Sequence, residues 1–166
     1  NYFSLNMLWG FNGGVKGAEI GGLVNVDRKN VTGAQIGGLT NLTFGNLKGA
    51  QVAGLVNQAK NVEGAHIGGL VNSSLGKMIG FQVGGLINYA LDTRSVTQIG
   101  GLFHLYLTRS PSVGLQLSGL GNLSTGKLSG TQIGGLLNVA NKINGTQISG
   151  LLNVAAKVNG SQISFI

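Results

Sequence analysis

Apolar and polar residues recur along this chain in a fixed order that repeats about every 15 or 16 residues. Residues 33–41 read GAQIGGLTN, residues 49–57 read GAQVAGLVN, and similar segments follow. The consensus is Gly-x-Gln-Ile-Gly-Gly-Leu-x-Asn, followed by six or seven looser residues. Self-similarity of this kind predicts a repeat architecture in which each unit packs only on its neighbours.

Ten units fit the consensus; one has Val96 in place of the leading glycine, and the last stops at Ile166 before its Asn. We expect residues 17–166 to form one repeat domain with an incomplete last repeat, and residues 1–16 to form an N-terminal cap or lead-in strand. Unit length varies only after the Asn, which predicts an outward turn there. The leading glycines are Gly17, Gly33, Gly49, Gly64, Gly80, Gly114, Gly130, Gly145 and Gly160.

Glutamine and asparagine each hold one place in nearly every unit. Glu19 and His66 stand in the glutamine column, and His104 stands in the asparagine column. Because a side-chain amide can donate to one neighbour and accept from another, stacked amides predict two structural ladders that satisfy buried polar groups. Their members are Gln35, Gln51, Gln82, Gln98, Gln116, Gln132 and Gln147, and Asn25, Asn41, Asn57, Asn72, Asn88, Asn122, Asn138 and Asn153.

The fold that these columns favour is all-β: a parallel β-solenoid of about ten coils of 15–16 residues. Coils stacked about 4.8 Å apart would make a rod of about 45–50 Å. We expect the paired glycines at a tight corner where a Cβ would clash. We also expect the isoleucine three residues after the leading glycine, and the leucine six after it, to fill a narrow core.

An antiparallel outer-membrane β-barrel with one strand per repeat is the alternative. Residues 31–42 alternate between an apolar face and a small or polar face, as strands that cross a bilayer do. The solenoid is favoured because adjacent units such as 131–143 and 146–158 are nearly identical, whereas successive barrel strands run in opposite directions. Aromatic girdles are also missing, and every turn is short.

Composition excludes several classes of protein. Charged residues are 9% of the chain and hydrophobic residues 42%, so the chain is too apolar to be disordered. With no cysteine it has neither a disulfide scaffold nor a thiolate metal site. The net charge of +7 is spread along the chain without interleaved aromatics, so we expect no nucleic-acid partner.

Candidate chemistry is sparse. Both histidines occupy ladder positions, and of the four carboxylates Glu19 heads the glutamine column while Asp27, Glu63 and Asp92 are expected in turns. A hydrolytic pair needs two carboxyls across one cleft, and a metal ion needs convergent ligands. We therefore predict no catalytic, cofactor-binding or metal site, no cofactor, and no enzyme activity.

Four lysines share one position, three residues before the leading glycine: Lys77, Lys127, Lys142 and Lys157. In a solenoid they would form a loose basic stripe along one edge. Such a stripe would keep the edge soluble and block lateral strand pairing. It is also a candidate polyanion contact, for lipid phosphates or acidic polysaccharide.

The repeat unit resembles that of the surface-repeat proteins of Leptospira and of Bacteroidota, over about residues 15–166. The opening segments 4–10 (SLNMLWG) and 13–17 (GGVKG) also resemble the lead-in of the Bacteroidota members. The second glycine of the pair is an extra residue relative to the Leptospira-type unit. The resemblance implies an exported protein at the cell surface or outer membrane of a Gram-negative-type bacterium, and implies no known activity.

Together these observations predict a non-enzymatic structural or adhesive surface repeat protein, a rigid rod or docking element of a bacterial envelope assembly. We expect its partners to be other envelope or surface proteins, polysaccharide or lipid head groups, with membrane association as one arrangement. Two alternatives stay open: an outer-membrane barrel acting as an anchor or pore, and an amyloid-like fibre subunit whose uncapped end recruits the next chain.

Overall fold

The chain folds into a parallel β-solenoid of about ten coils, which confirms the predicted fold class. The structure, a computed structural model, describes residues 2–107 and 110–166. Each coil has two extended segments. They meet at the Gly-Gly-Leu corner on one side, and at the segment of variable length, here called the variable turn, on the other. From β6 onward most strands run through the variable turn and break only at the corner.

All described strands belong to one continuous sheet that winds around the rod. They are β1 (Phe3–Asn6), β2 (Trp9–Asn12), β3 (Val15–Gly21), β4 (Val24–Asp27), β5 (Val31–Gly37), β6 (Thr40–Ala53), β7 (Val56–Gly68), β8 (Val71–Gly84), β9 (Ile87–Ile99), β10 (Phe103–Tyr106), β11 (Ser112–Ser118), β12 (Gly121–Gly134), β13 (Leu137–Ser149) and β14 (Leu152–Ser164).

Every strand pairing among the described residues is parallel and joins equivalent positions of successive coils. Gln35 pairs with Gln51 and Asn41 pairs with Asn57. Register shifts occur only in the variable turn, for example between Thr43 and Asn46. The alternative of an antiparallel barrel with one strand per repeat is therefore wrong, because neighbouring segments run in the same direction and each unit supplies two of them.

Five inward positions in each coil make a narrow interior. In the coil that begins at β5 these are Val31, Gln35, Gly37, Asn41 and Thr43, all of them buried. The first position is apolar in most coils, and the last is usually a small residue. The interior thus consists of two columns of amides, one apolar column and two columns of small residues.

The prediction that isoleucine and leucine fill the core is wrong. Ile36 is 46% exposed and Leu39 is 40% exposed. Side chains alternate along a strand, so the buried Gln35 directs Ile36 outward. At the glycine position there is also no room for a larger group, because a Cβ on Gly37 would lie 2.7 Å from Asn41 Oδ1. The isoleucine and leucine of the corner consequently lie on the outside of the rod, while the apolar column that includes Leu47 and Met78 stays inside.

Residues 2–16, the described part of the predicted N-terminal cap or lead-in strand, begin the stack. Strand β1 pairs with β3 and β2 pairs with β4, both in parallel register, so this segment extends the regular stacking by one level. Its outward side chains are aromatic, with Trp9 77% and Phe11 63% exposed. The Arg28 guanidinium lies 4.8 Å from the centre of the Phe11 ring, a cation–π contact between the first two levels.

The leading glycine of the unit is required by both conformation and stacking. Gly49 has a φ of 131°, a region that L side chains rarely adopt. A Cβ at this position would lie 2.0 Å from the carbonyl oxygen of Gly33 in the neighbouring coil. At the corner, a Cβ on Gly38 would lie 2.0 Å from the carbonyl oxygen of Gly22, which is the clash predicted for the paired glycines.

We predict that Gly49→Ala lowers the free energy of unfolding by about 2–4 kcal/mol, because it combines backbone strain with a clash against Gly33 of the preceding coil. Thermal unfolding followed by circular dichroism measures the change. Gly13→Ala is the matched control, since no heavy atom lies within 4 Å of a Cβ there. Equal melting temperatures for the two variants would contradict the stacking argument.

Candidate functional site

The glutamine column forms a hydrogen-bonded ladder in which every glutamine except Gln82 donates toward the N-terminal end. Gln51 Nε2 donates to Gln35 Oε1 over 2.6 Å, and Gln35 Nε2 donates to Glu19 Oε2 over 2.8 Å. Beyond His66 the same bond recurs five times at 2.6–3.2 Å, and Gln162 joins the end of the series. The donors there are Gln98, Gln116, Gln132, Gln147 and Gln162.

The asparagine column forms a second ladder that runs in the opposite direction. Asn41 Nδ2 donates to Asn57 Oδ1 over 3.0 Å, toward the C-terminal end. The same amide donates its other hydrogen to the carbonyl oxygen of Val52 over 2.8 Å, just before the corner of the next coil. Each asparagine therefore both continues the ladder and ties one strand segment to the other, which a longer glutamine at this position would overshoot.

His66 interrupts the glutamine ladder. The ring is fully buried, and neither of its nitrogens has a hydrogen-bond partner among the described residues. Gln82 Nε2 turns away from it to the carbonyl oxygen of Tyr89, at 3.1 Å, and Gln51 Oε1 is left without a donor. Burial lowers the pKa of His66 to about 3, so the ring is neutral at physiological pH.

His104 takes the place of an asparagine with less disruption. Its Nε2 lies 3.1 Å from Asn88 Nδ2 and also contacts the carbonyl oxygen of Gly100. Because the nitrogen accepts in one tautomer and donates in the other, it satisfies one of these two contacts at a time. Burial lowers the pKa of His104 to about 4, with the contact to Gly100 acting in the opposite direction.

A buried carboxyl pair stands at the N-terminal end of the glutamine ladder. Glu19 and Asp27 are both fully buried, and Gln35 Nε2 donates to each of them. The prediction that Asp27 lies in a turn is wrong, because it ends β4 and fills the inward position two residues after Asn25. Burial raises the pKa of Asp27 to about 8, and Glu19 raises it further in the same direction. A neutral Asp27 therefore accompanies Glu19 at pH 7, and its contribution to stability declines as pH rises from about 4 toward 8.

The basic stripe is a surface feature of the variable turn. Lys127 pairs in register with Lys142, and Lys142 pairs with Lys157. The three side chains line one shallow groove together with Asn144 and Asn159. Lys77 occupies the same position several coils earlier, where its register partner is Asp92. The structure therefore brings three of the four candidate lysines together and leaves Lys77 apart.

Comparison with known proteins returns no match: no protein-family model, no curated protein and no solved structure is similar to this chain. The described residues include no helix long and apolar enough to cross a membrane. Residues 2–107 and 110–166 also contain no group of three histidine, aspartate or glutamate side chains placed to hold a metal ion. The distinctive features of the described residues are the two ladders, the glycine-lined corner and the basic stripe of the variable turn.

We predict that Asn138→Leu lowers the free energy of unfolding by about 2–4 kcal/mol. The substitution leaves Asn153 Oδ1 and the carbonyl oxygen of Ile148 without the donor that now reaches them at 2.9 and 2.7 Å. Chemical denaturation measures the change. Asn141→Leu, at an exposed place in the variable turn, is the control. A variant at Asn138 as stable as the control would show that the ladder does not support the fold.

We predict that His66→Gln raises stability at pH 7 by about 1–3 kcal/mol, because it joins the two parts of the ladder and removes unpaired buried nitrogens. The gain should grow as pH falls below about 6.5, because only the unfolded wild-type ring takes up a proton until the pH approaches 3. Melting curves of both proteins between pH 7 and pH 4 measure this. His104→Asn is the comparison at the milder interruption, and a gain independent of pH would contradict the burial of His66.

Proposed function

We propose that this chain is a non-enzymatic structural element of a bacterial envelope, a rigid rod that spaces or docks other surface components. The observation that supports this most is the level-by-level bonding of the whole interior. Backbone hydrogen bonds join successive coils along the axis, and the glutamine ladder runs beside them from Glu19 to Gln162 with one interruption at His66. Bending the rod would break backbone and side-chain hydrogen bonds between the same two coils at once. This cost supports a role that requires a rigid shape.

The dimensions suit a spacer. The repeat coils and the leading β1–β2 level make eleven stacked levels. At about 4.8 Å per step the rod is about 48 Å long. The resemblance of the repeat unit to the surface-repeat proteins of Leptospira and Bacteroidota supports an exported location, at the cell surface or outer membrane.

The groove beside Lys127, Lys142 and Lys157 supports an anionic contact as part of this function. Like charges stacked on successive coils repel one another, and an anionic chain laid along the groove would relieve that repulsion. Acidic polysaccharide of the envelope and lipid head groups both carry the negative charge that these lysines would attract. We propose this contact as the means by which the rod is held in its assembly.

Small-angle scattering of the folded chain, together with antibody labelling of intact cells of the source bacterium, tests the proposal. We expect a rod-like particle with a cross-section of one solenoid and labelling without permeabilisation. Gly49→Ala serves as the control in which stacking is impaired. A compact particle would contradict the rod, labelling only after lysis would contradict the surface location, and growth into long fibres would favour the amyloid-like alternative.

A further inference from the structure

One edge of the rod is apolar along its entire length. At the corner of each coil an outward isoleucine, valine or leucine, a bare glycine and an outward leucine follow one another, and we call this surface the apolar edge. Its larger side chains are half-buried to exposed, for example Ile67 at 40%, Leu70 at 39% and Leu86 at 40%. The isoleucine side of the edge is Ile20, Ile36, Val52, Ile67, Val83, Ile99, Leu117, Ile133, Ile148 and Ile163; the leucine side is Leu23, Leu39, Leu55, Leu70, Leu86, Leu102, Leu120, Leu136 and Leu151.

Charge is confined to the opposite edge. Apart from the buried Glu19 and Asp27, every charged side chain in the described residues lies between the third residue after the asparagine column and the residue before the leading glycine. That segment is the variable turn, about 20 Å from the corner along an extended strand. The rod is therefore amphipathic across its width, and this separation is kept from one end to the other.

The surface of the apolar edge is not flat. The second glycine of each pair has no side chain and is mostly exposed, so these glycines form a shallow groove between the isoleucine and leucine ridges. Phe165 already lines this groove beside Gly134, Gly135 and Ile148. The glycine backbone between the ridges is therefore accessible to an apolar side chain from outside the rod.

We propose that the apolar edge binds the apolar edge of a second copy of this chain, with the leucine ridge of one rod lying in the glycine groove of the other. A partner that fills the groove at every coil must present apolar side chains about 4.8 Å apart. A second copy meets this requirement because its own coils stack at the same spacing. Pairing in this way also places the two basic edges on opposite sides of the dimer. Their separation then exceeds the screening length of about 8 Å several times over.

The area is sufficient for a stable homodimer. An edge about 48 Å long and about 15–20 Å wide offers about 700–950 Å² on each rod, and standard interfaces bury about 800 Å² per partner. The side chains that would be covered are apolar, as they are at the centre of homodimer interfaces. A bilayer surface would also cover apolar side chains, but it has no ridge that matches a groove with a fixed repeat.

Sedimentation equilibrium of the purified chain, without detergent and over a range of micromolar concentrations, tests the dimer. We expect twice the mass of one chain for the wild type, and the mass of one chain for the double variant Leu70→Glu, Leu86→Glu. Both leucines point away from the interior, so circular dichroism and the melting temperature of the folded monomer should be preserved. We expect the dissociation constant to rise at least tenfold, because each rod would bury two unpaired carboxylates.

The matched control carries the same substitutions on the charged edge. Leu75→Glu and Leu91→Glu replace leucines that are 47% and 42% exposed in neighbouring coils of the variable turn, and this variant should remain a dimer. A folded wild type that is monomeric throughout, or equal weakening by both double variants, would overturn the inference. So would a wild type that floats with phosphatidylcholine vesicles as a monomer, because lipid would then cover the edge.

The inference rests on the rod of the proposed function, and its failure is distinguishable from failure of that function. A rod-shaped particle with the mass of one chain overturns the dimer and leaves the proposed rod intact. A compact particle contradicts the rod itself, whatever its mass.

Discussion

The amide-to-amide hydrogen bond between successive coils is the interaction on which this structure depends. A buried amide without a partner is costly, and a buried amide with partners on both sides is held in one place. Repeating it at a fixed step aligns every other position of the coil, so that Gly49 must sit on Gly33 and Asn57 on Asn41. The register of the sheet is thus set from inside by polar groups, where most globular folds set it by hydrophobic burial.

A polar interior changes where the apolar residues go. The inward positions are taken by amides, small residues and one apolar column, which leave no volume for Ile36 or Leu39. These side chains then cover the exterior, while the charged residues gather where the chain turns through the variable segment. The amphipathic cross-section of the rod is therefore a consequence of the ladder.

The stacking was predictable from the sequence because it leaves identical residues at fixed intervals, as in the Gln and Asn columns. The direction of the outward residues was partly predictable. Strand alternation alone places Gln35 and Ile36 on opposite sides. The general preference of large apolar residues for the core, however, predicts that Ile36 is the buried one. The position of Asp27 was not predictable from its own type, since the inward position it fills also accepts Thr43, Ala59 or Ser74. The lack of hydrogen bonds at His66 was also not predictable from the sequence. An imidazole has polar atoms as an amide does, but they lie at different distances from the backbone.

The in-register repeat also has a bearing on size. Each coil contacts mainly the coils before and after it, so no residue at one end of the rod depends on the number of units between it and the other end. Gain or loss of one whole unit of 15–16 residues shifts the ends by about 4.8 Å and leaves each remaining level chemically unchanged. The length of such a rod is therefore set by its number of repeats, and it can change in small equal steps without any new kind of contact.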